Sequence, residues 1–341
     1  MTCELYRYSS RCRKPQIGAF QRDSRTSTKL GGFGRVKVNY GKVVRVRHPM
    51  THHKVLFAVW NLELWQDSIQ LDEVSFHRVE AYDQAIQRVQ KGHEAVHTAV
   101  ADVSWEGDSL PTPEEGLESA SLRLRPYLLL LTLAQGVWVD WRARKALSED
   151  GTIIAGDSRS APFTRPHPSD LIWLPSQEQF LRQCHERVSS TFLNRTLFAV
   201  ALSWAIQANE QDFEEADFLF RYTALEALGW AFVRETYAGD EERLATFESS
   251  PRGKIKHFLT QNRAPVRAFF PNGDEQLFEL RDHIAHRGMA FERAQGVPFG
   301  REIIALNGLL DWCFLTLLGY RGPFRDIRHR GYHGTFPDDF R

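Results

Sequence analysis

The chain has 341 residues, 43 basic and 43 acidic side chains, and a hydrophobic fraction of 42%. That length exceeds one typical domain, and the balance of apolar and charged residues excludes both a disordered polyelectrolyte and a fibre. No apolar run reaches the roughly 18 residues of a membrane-spanning helix, and Arg7, Arg11, Arg13 and Lys14 interrupt the stretch a signal peptide would need. A cytoplasmic protein with no membrane partner is expected.

The four cysteines, Cys3, Cys12, Cys184 and Cys313, form no close pair, so neither a zinc ribbon nor a disulfide framework is indicated. Charge is uneven along the chain. Between Met1 and His48 stand twelve Lys and Arg residues against Glu4 and Asp23, a surface on which RNA or another polyanion finds electrostatic purchase. A solvated β surface with a basic tail is the alternative.

The first elements read as β structure. Val36 and Val38, then Val44 and Val46, alternate around Asn39-Tyr40-Gly41, the pattern of a hairpin, and Val55–Trp60 adds a strand. A helix is expected from about Ala81 to Val100, then a loop from Trp105 to Glu118 around Pro111 and Pro113. The leucine-rich stretch Pro126–Ala134 reads as a short helix opened by its proline, and Val137–Trp141 as a strand. Glycines offer no phosphate loop: Gly31-Gly32-Phe33-Gly34 precedes a strand, and Gly41-Lys42 lacks the following Ser or Thr. No cofactor is expected.

Between Ser148 and Asp170 the chain turns polar and carries Pro162, Pro166 and Pro168, as a linker or surface crossing does. Helices dominate from there. Ser176 and Gln179 match a capping-box opening before a helical pattern from Phe180 to Ile206. Phe218, Leu219, Tyr222, Leu225, Leu228 and Phe232 recur at three- and four-residue steps. Shorter helices are expected around Arg252–Gln261 and Glu275–His286, and a last one over Arg301–Leu318, closed by Gly319. The fold class is therefore α+β: a mixed α/β domain over residues 1–165, an all-α bundle over 170–320 and a basic, aromatic tail over 321–341.

One constellation carries chemistry. Leu280-Arg281-Asp282-His283-Ile284-Ala285-His286-Arg287-Gly288 places an arginine, then a polar residue, then a histidine five positions after the arginine. The same separation recurs at Arg47 and His52, Arg88 and His93, Arg252 and His257, and Arg328 and His333, so context must choose among them. The apolar approach Leu277, Phe278, Leu280 and the upstream segment Phe220-Arg221-Tyr222-Thr223-Ala224-Leu225-Glu226-Ala227-Leu228 favour Arg281. With Lys254-Ile255-Lys256-His257-Phe258-Leu259 between them and an apolar helix after, residues 174–318 resemble the ApeA-like branch of the HEPN superfamily.

That resemblance implies a metal-independent endoribonuclease that dimerises with its two Arg/His motifs facing across the interface. It also implies a setting in toxin or anti-phage defence, with a protein or antitoxin regulator as a further partner. The pair suits the reaction. A histidine with a pKa near 6.5 exchanges protons with a ribose 2′-hydroxyl or a leaving 5′-oxygen at neutral pH, and arginine presents a permanently charged fork to phosphate. Arg281 and His286 are the expected catalytic residues. Asp282 is expected to orient a histidine or bind the arginine, and His283 is a further candidate. Residues five apart on a continuous helix lie about 140° apart, so either the helix ends or distorts before Gly288 or a partner chain completes each site. The structural alternative pairs Arg281 with Glu226 or another carboxylate, and a non-catalytic dimer that binds RNA or a protein is the corresponding functional one.

A competing motif is His93-Glu94-Ala95-Val96-His97, the arrangement that sets two zinc ligands, His93 and His97, one helical turn apart with Glu94 as general base. It requires a helix there. The tail from Tyr320 to Arg341 interleaves arginines and histidines with Phe324, Tyr332 and Phe336, a mixture suited to contact with single-stranded RNA or to clasping the domain before it.

Overall fold

A computed structural model describes residues 52–90, 96–106, 112–159, 170–189, 196–290, 299–326 and 332–338. The hairpin expected over Arg35–Val46 and the basic stretch up to His48 lie outside these residues. Residues 49–341 form one compact unit, and the fold is α+β.

The sheet comprises β1 (His52–Trp60), β2 (Ser68–Gln70), β3 (Val74–Arg78), β4 (His97–Glu106), β5 (Asp140–Leu147) and β6 (Ile153–Ser158) in the order β2-β3-β4-β1-β5-β6. Every neighbouring pair is antiparallel. Val55, Phe57 and Val59 on β1 and Ala99, Ala101, Val103 and Trp105 on β4 face the core, the period-2 burial of a sheet with one covered face. The helix expected over Ala81–Val100 is therefore short: α1 covers Tyr82–Gln90, and the chain re-emerges at His97 as strand β4.

Helix α2 (Pro113–Gln135) covers the buried face. It replaces both an expected loop and an expected short helix. Thr112 accepts from the Glu115 amide while the Glu115 carboxylate accepts from the Thr112 amide, a full capping box, and Pro113 occupies the first turn, where its missing N–H costs nothing. Pro126 thus lies inside the helix instead of opening one. With no N–H at Pro126, the Leu122 carbonyl lacks its partner four residues on. Val137 and Val139 are buried in the link that follows, and the strand starts at Asp140. Residues 153–158, expected within a linker, form the edge strand β6.

The helical half contains α3 (Gln177–Ser189), α4 (Thr196–Ala208), α5 (Glu214–Thr236), α6 (Glu241–Glu248), α7 (Pro251–Gln261), α8 (Val266–Phe269), α9 (Asp274–Arg287) and α10 (Gly300–Leu318). The single helical pattern read from Phe180 to Ile206 is two helices. Helix α5 is the central post, packed against α4, α7, α9 and α10. Phe218, Tyr222, Leu225 and Leu228 are buried on it, as their spacing predicts. The sheet, α2 and this bundle share one apolar core. The tail folds back as a hairpin, β7 (Gly322–Asp326) with β8 (Tyr332–Phe336). The Arg325 amide donates to the Leu171 carbonyl at 2.8 Å, and Phe324 and Phe336 are buried.

Where α5 meets α7 the backbones come close. A Cβ on Gly229 would lie 3.2 Å from the carbonyl carbon and oxygen of Lys254, and both atoms belong to a rigid helix that cannot yield locally. Gly229→Val is expected to lower the unfolding free energy by about 1–3 kcal/mol through overpacking, measured as a shift in urea midpoint. An unchanged midpoint would mean the two helices are not seated this closely.

Candidate functional site

Helix α9 runs from Gly273, at φ 78°, to a left-handed Gly288 at φ 72° whose amide donates to Ile284. Its inner stripe, Leu277, Phe278, Leu280 and Ile284, is buried. The helix is continuous through Arg281 and His286. Its geometry places the two about 140° apart around the axis, so they do not converge within one chain, and the possibility that the helix ends between them is removed.

Arg281 is partly exposed and held from two sides. Its guanidinium carbon lies 5.7 Å from the centroid of the Tyr222 ring on α5, and its Nη1 donates to Asp282 Oδ1 at 3.2 Å. The other Asp282 oxygen accepts from Arg252 on α7, whose guanidinium stands 5.5 Å from the Phe278 ring. Asp282 therefore lies between two arginines. The Nε and Nη2 donors of Arg281 have no partner among the described residues, which leaves a charged edge available to an anion.

Glu226, expected as an arginine partner, instead faces Lys254 at 3.8 Å. The Lys254 ammonium also lies 4.8 Å from the Trp230 ring centroid. Burial pushes the Tyr222 phenol up to about 12; Glu226 and Asp282 push in the same direction, and Arg281 and Arg252 oppose them. The surface over α5, α7 and α9 thus contains a neutral, buried phenol beneath an exposed guanidinium.

The two histidines have different surroundings. His283 Nδ1 is 2.8 Å from the Met289 carbonyl, so the ring fastens the chain leaving α9. His286 is exposed on the last helical turn and makes no hydrogen bond or ion pair with another described residue. Among the other arginine–histidine spacings, Arg252 belongs to this cluster through Asp282, but His257 is 3.1 Å from the Tyr237 hydroxyl and packed among aromatic rings.

The zinc-type arrangement loses its geometric basis. His93 and Glu94 lie outside the described residues, and His97 opens a strand, not a helical turn. Burial lowers its imidazole pKa. Among the described residues no group of three or more His, Cys, Asp or Glu side chains is placed to hold a metal ion.

Sequence spacing did not reveal Arg221, next to Tyr222. Its guanidinium is buried and donates to Asp217 at 2.5 Å, to Asn209 at 2.7 Å and to Asn307 on α10. It ties α5 to two neighbouring segments and points away from solvent. Comparison with protein-family models, with curated proteins and with solved structures finds no match for the chain. Among the described residues no helix is long and apolar enough to cross a membrane.

Because Tyr222 stays neutral to about pH 12 when folded and titrates near 10 when unfolded, its contribution to stability is complete below pH 10 and is lost as pH rises toward 12. Tyr222→Phe is expected to remove about 1 kcal/mol per pH unit from the alkaline slope of unfolding free energy above pH 10, measured by urea denaturation. An unaltered slope would place the phenol in water.

Proposed function

We propose that the helical half is a HEPN-type, metal-independent endoribonuclease in which Arg281 of one copy and His286 of a second form each active centre. The observation that carries the reading is the exposed end of α9. Arg281 stands there with free donors over Tyr222, and His286 stands exposed on the same rigid helix, turned away by an angle that a two-fold partner can compensate.

In the reaction, a His286 imidazole takes the proton of a ribose 2′-hydroxyl as the 2′-oxygen attacks the adjacent phosphorus. The phosphorus–5′-oxygen bond breaks, and the 5′-oxygen leaves with a proton from an imidazolium. The free Arg281 donors meet the negative charge that gathers on the phosphoryl oxygens. The products are a 2′,3′-cyclic phosphate and a 5′-hydroxyl. Asp282 serves by fixing Arg281 and Arg252 in place, and His283 by holding the helix end. With this activity we propose a cytoplasmic role in toxin or anti-phage defence, restrained by a protein regulator.

The test is digestion of structured and single-stranded RNA in excess EDTA. The wild type is expected to cut; Arg281→Ala and His286→Ala are each expected to lose at least about a hundredfold in rate. Mixing the two inactive variants is expected to restore about a quarter of wild-type activity, since half the dimers are mixed and each holds one intact composite centre. Cleavage that survives both substitutions would overturn the assignment. Absence of cleavage with retained, Arg281-dependent RNA binding would favour a non-catalytic dimer. Loss of activity without restoration on mixing would overturn the shared-centre geometry.

A further inference from the structure

A second site lies away from α9. Leu122, Arg125, Trp138, Asp140, Arg159 and Ala199 are among the residues lining a cleft of about 570 Å³ between α2, β5, β6 and α4. That volume falls within the roughly 300–1,000 Å³ of small-molecule sites, which join apolar walls to a few convergent polar groups.

Three arginines reach this cleft, and they differ in what they leave free. Arg144 is buried and has all five N–H donors engaged: Nε and Nη2 hold Asp157 at 2.8 Å each, Nη2 also reaches Glu118, and Nη1 reaches the Leu117 carbonyl and Ser121 Oγ. It is a structural tie between α2 and the sheet edge. Arg159 is half engaged. Its Nε donates to the Trp141 carbonyl at 3.2 Å, its Nη2 pairs with Asp140, and its guanidinium carbon lies 3.8 Å from the Trp141 ring centroid. One face of the guanidinium is thus backed by an indole, and its Nη1 has no partner among the described residues. Arg125 is exposed on α2 and makes no hydrogen bond or ion pair with another described residue.

The charges sort in the same way. Asp157 and Glu118 pair with Arg144 and Asp140 with Arg159, so the cleft's three arginines and three carboxylates balance, and Arg125 is the arginine of the three whose donors are not taken by a carboxylate among the described residues. An oriented guanidinium plane stacks on a nucleobase, and a guanidinium fork with free donors fits a phosphate. We propose that this cleft binds a free nucleoside monophosphate, its base on the open face of Arg159 and its phosphate between Arg125 and the Arg159 Nη1. A cleft of about 570 Å³ with one stacking face and one phosphate position fits a single nucleotide, which favours a mononucleotide over a strand.

The test is calorimetric titration of the full chain with AMP, GMP, CMP and UMP, each beside its nucleoside, inorganic phosphate and a dinucleotide. Saturable binding of at least one monophosphate is expected, tighter than that of its nucleoside, of phosphate and of the dinucleotide. Arg125→Ala and Arg159→Lys are each expected to weaken it about tenfold or more, the second keeping the charge and losing the planar fork. Arg281→Ala is expected to leave it unchanged, which separates this site from the one on α9. Melting curves establish that each variant is folded. No saturable binding of any monophosphate, binding that neither arginine substitution weakens, or equal affinity for phosphate alone would overturn the proposal.

Discussion

The close seating of α5 against α7 at Gly229 sets where the charged groups of the α9 surface stand. Without a side chain there, the Lys254 backbone comes within van der Waals reach of α5, and the Lys254 side chain is carried over Trp230 toward Glu226. Arg252, two residues earlier, projects about 160° away around the same helix, and it crosses to Asp282 on α9. Tyr222, two turns before Gly229 on α5, supplies the ring beneath Arg281. One missing Cβ thus sets how closely α7, which supplies Arg252, is seated against α5, which supplies the ring beneath Arg281.

Magnitudes separate the arginines into two kinds. Arg221 and Arg144 are buried and lock segments together; removing a partner from the enclosed Arg221 costs about 3–5 kcal/mol, whereas the carboxylate partners of Arg144 stand largely in water and contribute less. Arg281, Arg252, Arg125 and Arg159 keep much of their surface in water, where an ion pair contributes only about 0–1 kcal/mol. Folding gains little from them, and Arg281, Arg252 and Arg159 are each held in a defined place by a carboxylate and an aromatic face. Asp282 is the clearest case. One carboxylate between two guanidiniums leaves net positive charge and holds both arginines still, an arrangement that suits an incoming phosphate better than it suits stability.

Much of the helical half is legible in the sequence because its information is local. The three- and four-residue spacing from Phe218 to Phe232, the short helix before Gly288 and the left-handed Gly319 after Leu318 are patterns within a few turns of one segment, and the structure has each of them. The N-terminal elements misled for physical reasons. Residues 97–106 mix alanine, valine and threonine, which suit a helix or a half-buried strand, and only pairing with β1 and β3 decides for the strand. Two prolines around Thr112 suggest a loop, yet Pro113 sits in the first helical turn and Glu115 completes the cap. Pro126 suggests a helix start because proline favours the first turn, yet the capping box at Thr112 has already opened the helix that contains it.

The same divide governs the sites. Arg281 and His286 are visible because one short helix contains both, yet their relation in space is not: the continuous helix that makes the motif readable also turns its two members apart, so chemistry between them requires a second chain. Arg252 is visible only as a repeat of the spacing to His257, whereas its partner is Asp282, thirty residues on and across a helix interface. The cleft by Trp141 leaves no sequence trace at all, since its walls come from segments as distant as Leu122 and Ala199. What distinguishes its arginines is the number of donors that folding leaves free, a property of partners and not of spacing, and no periodicity in the chain encodes it.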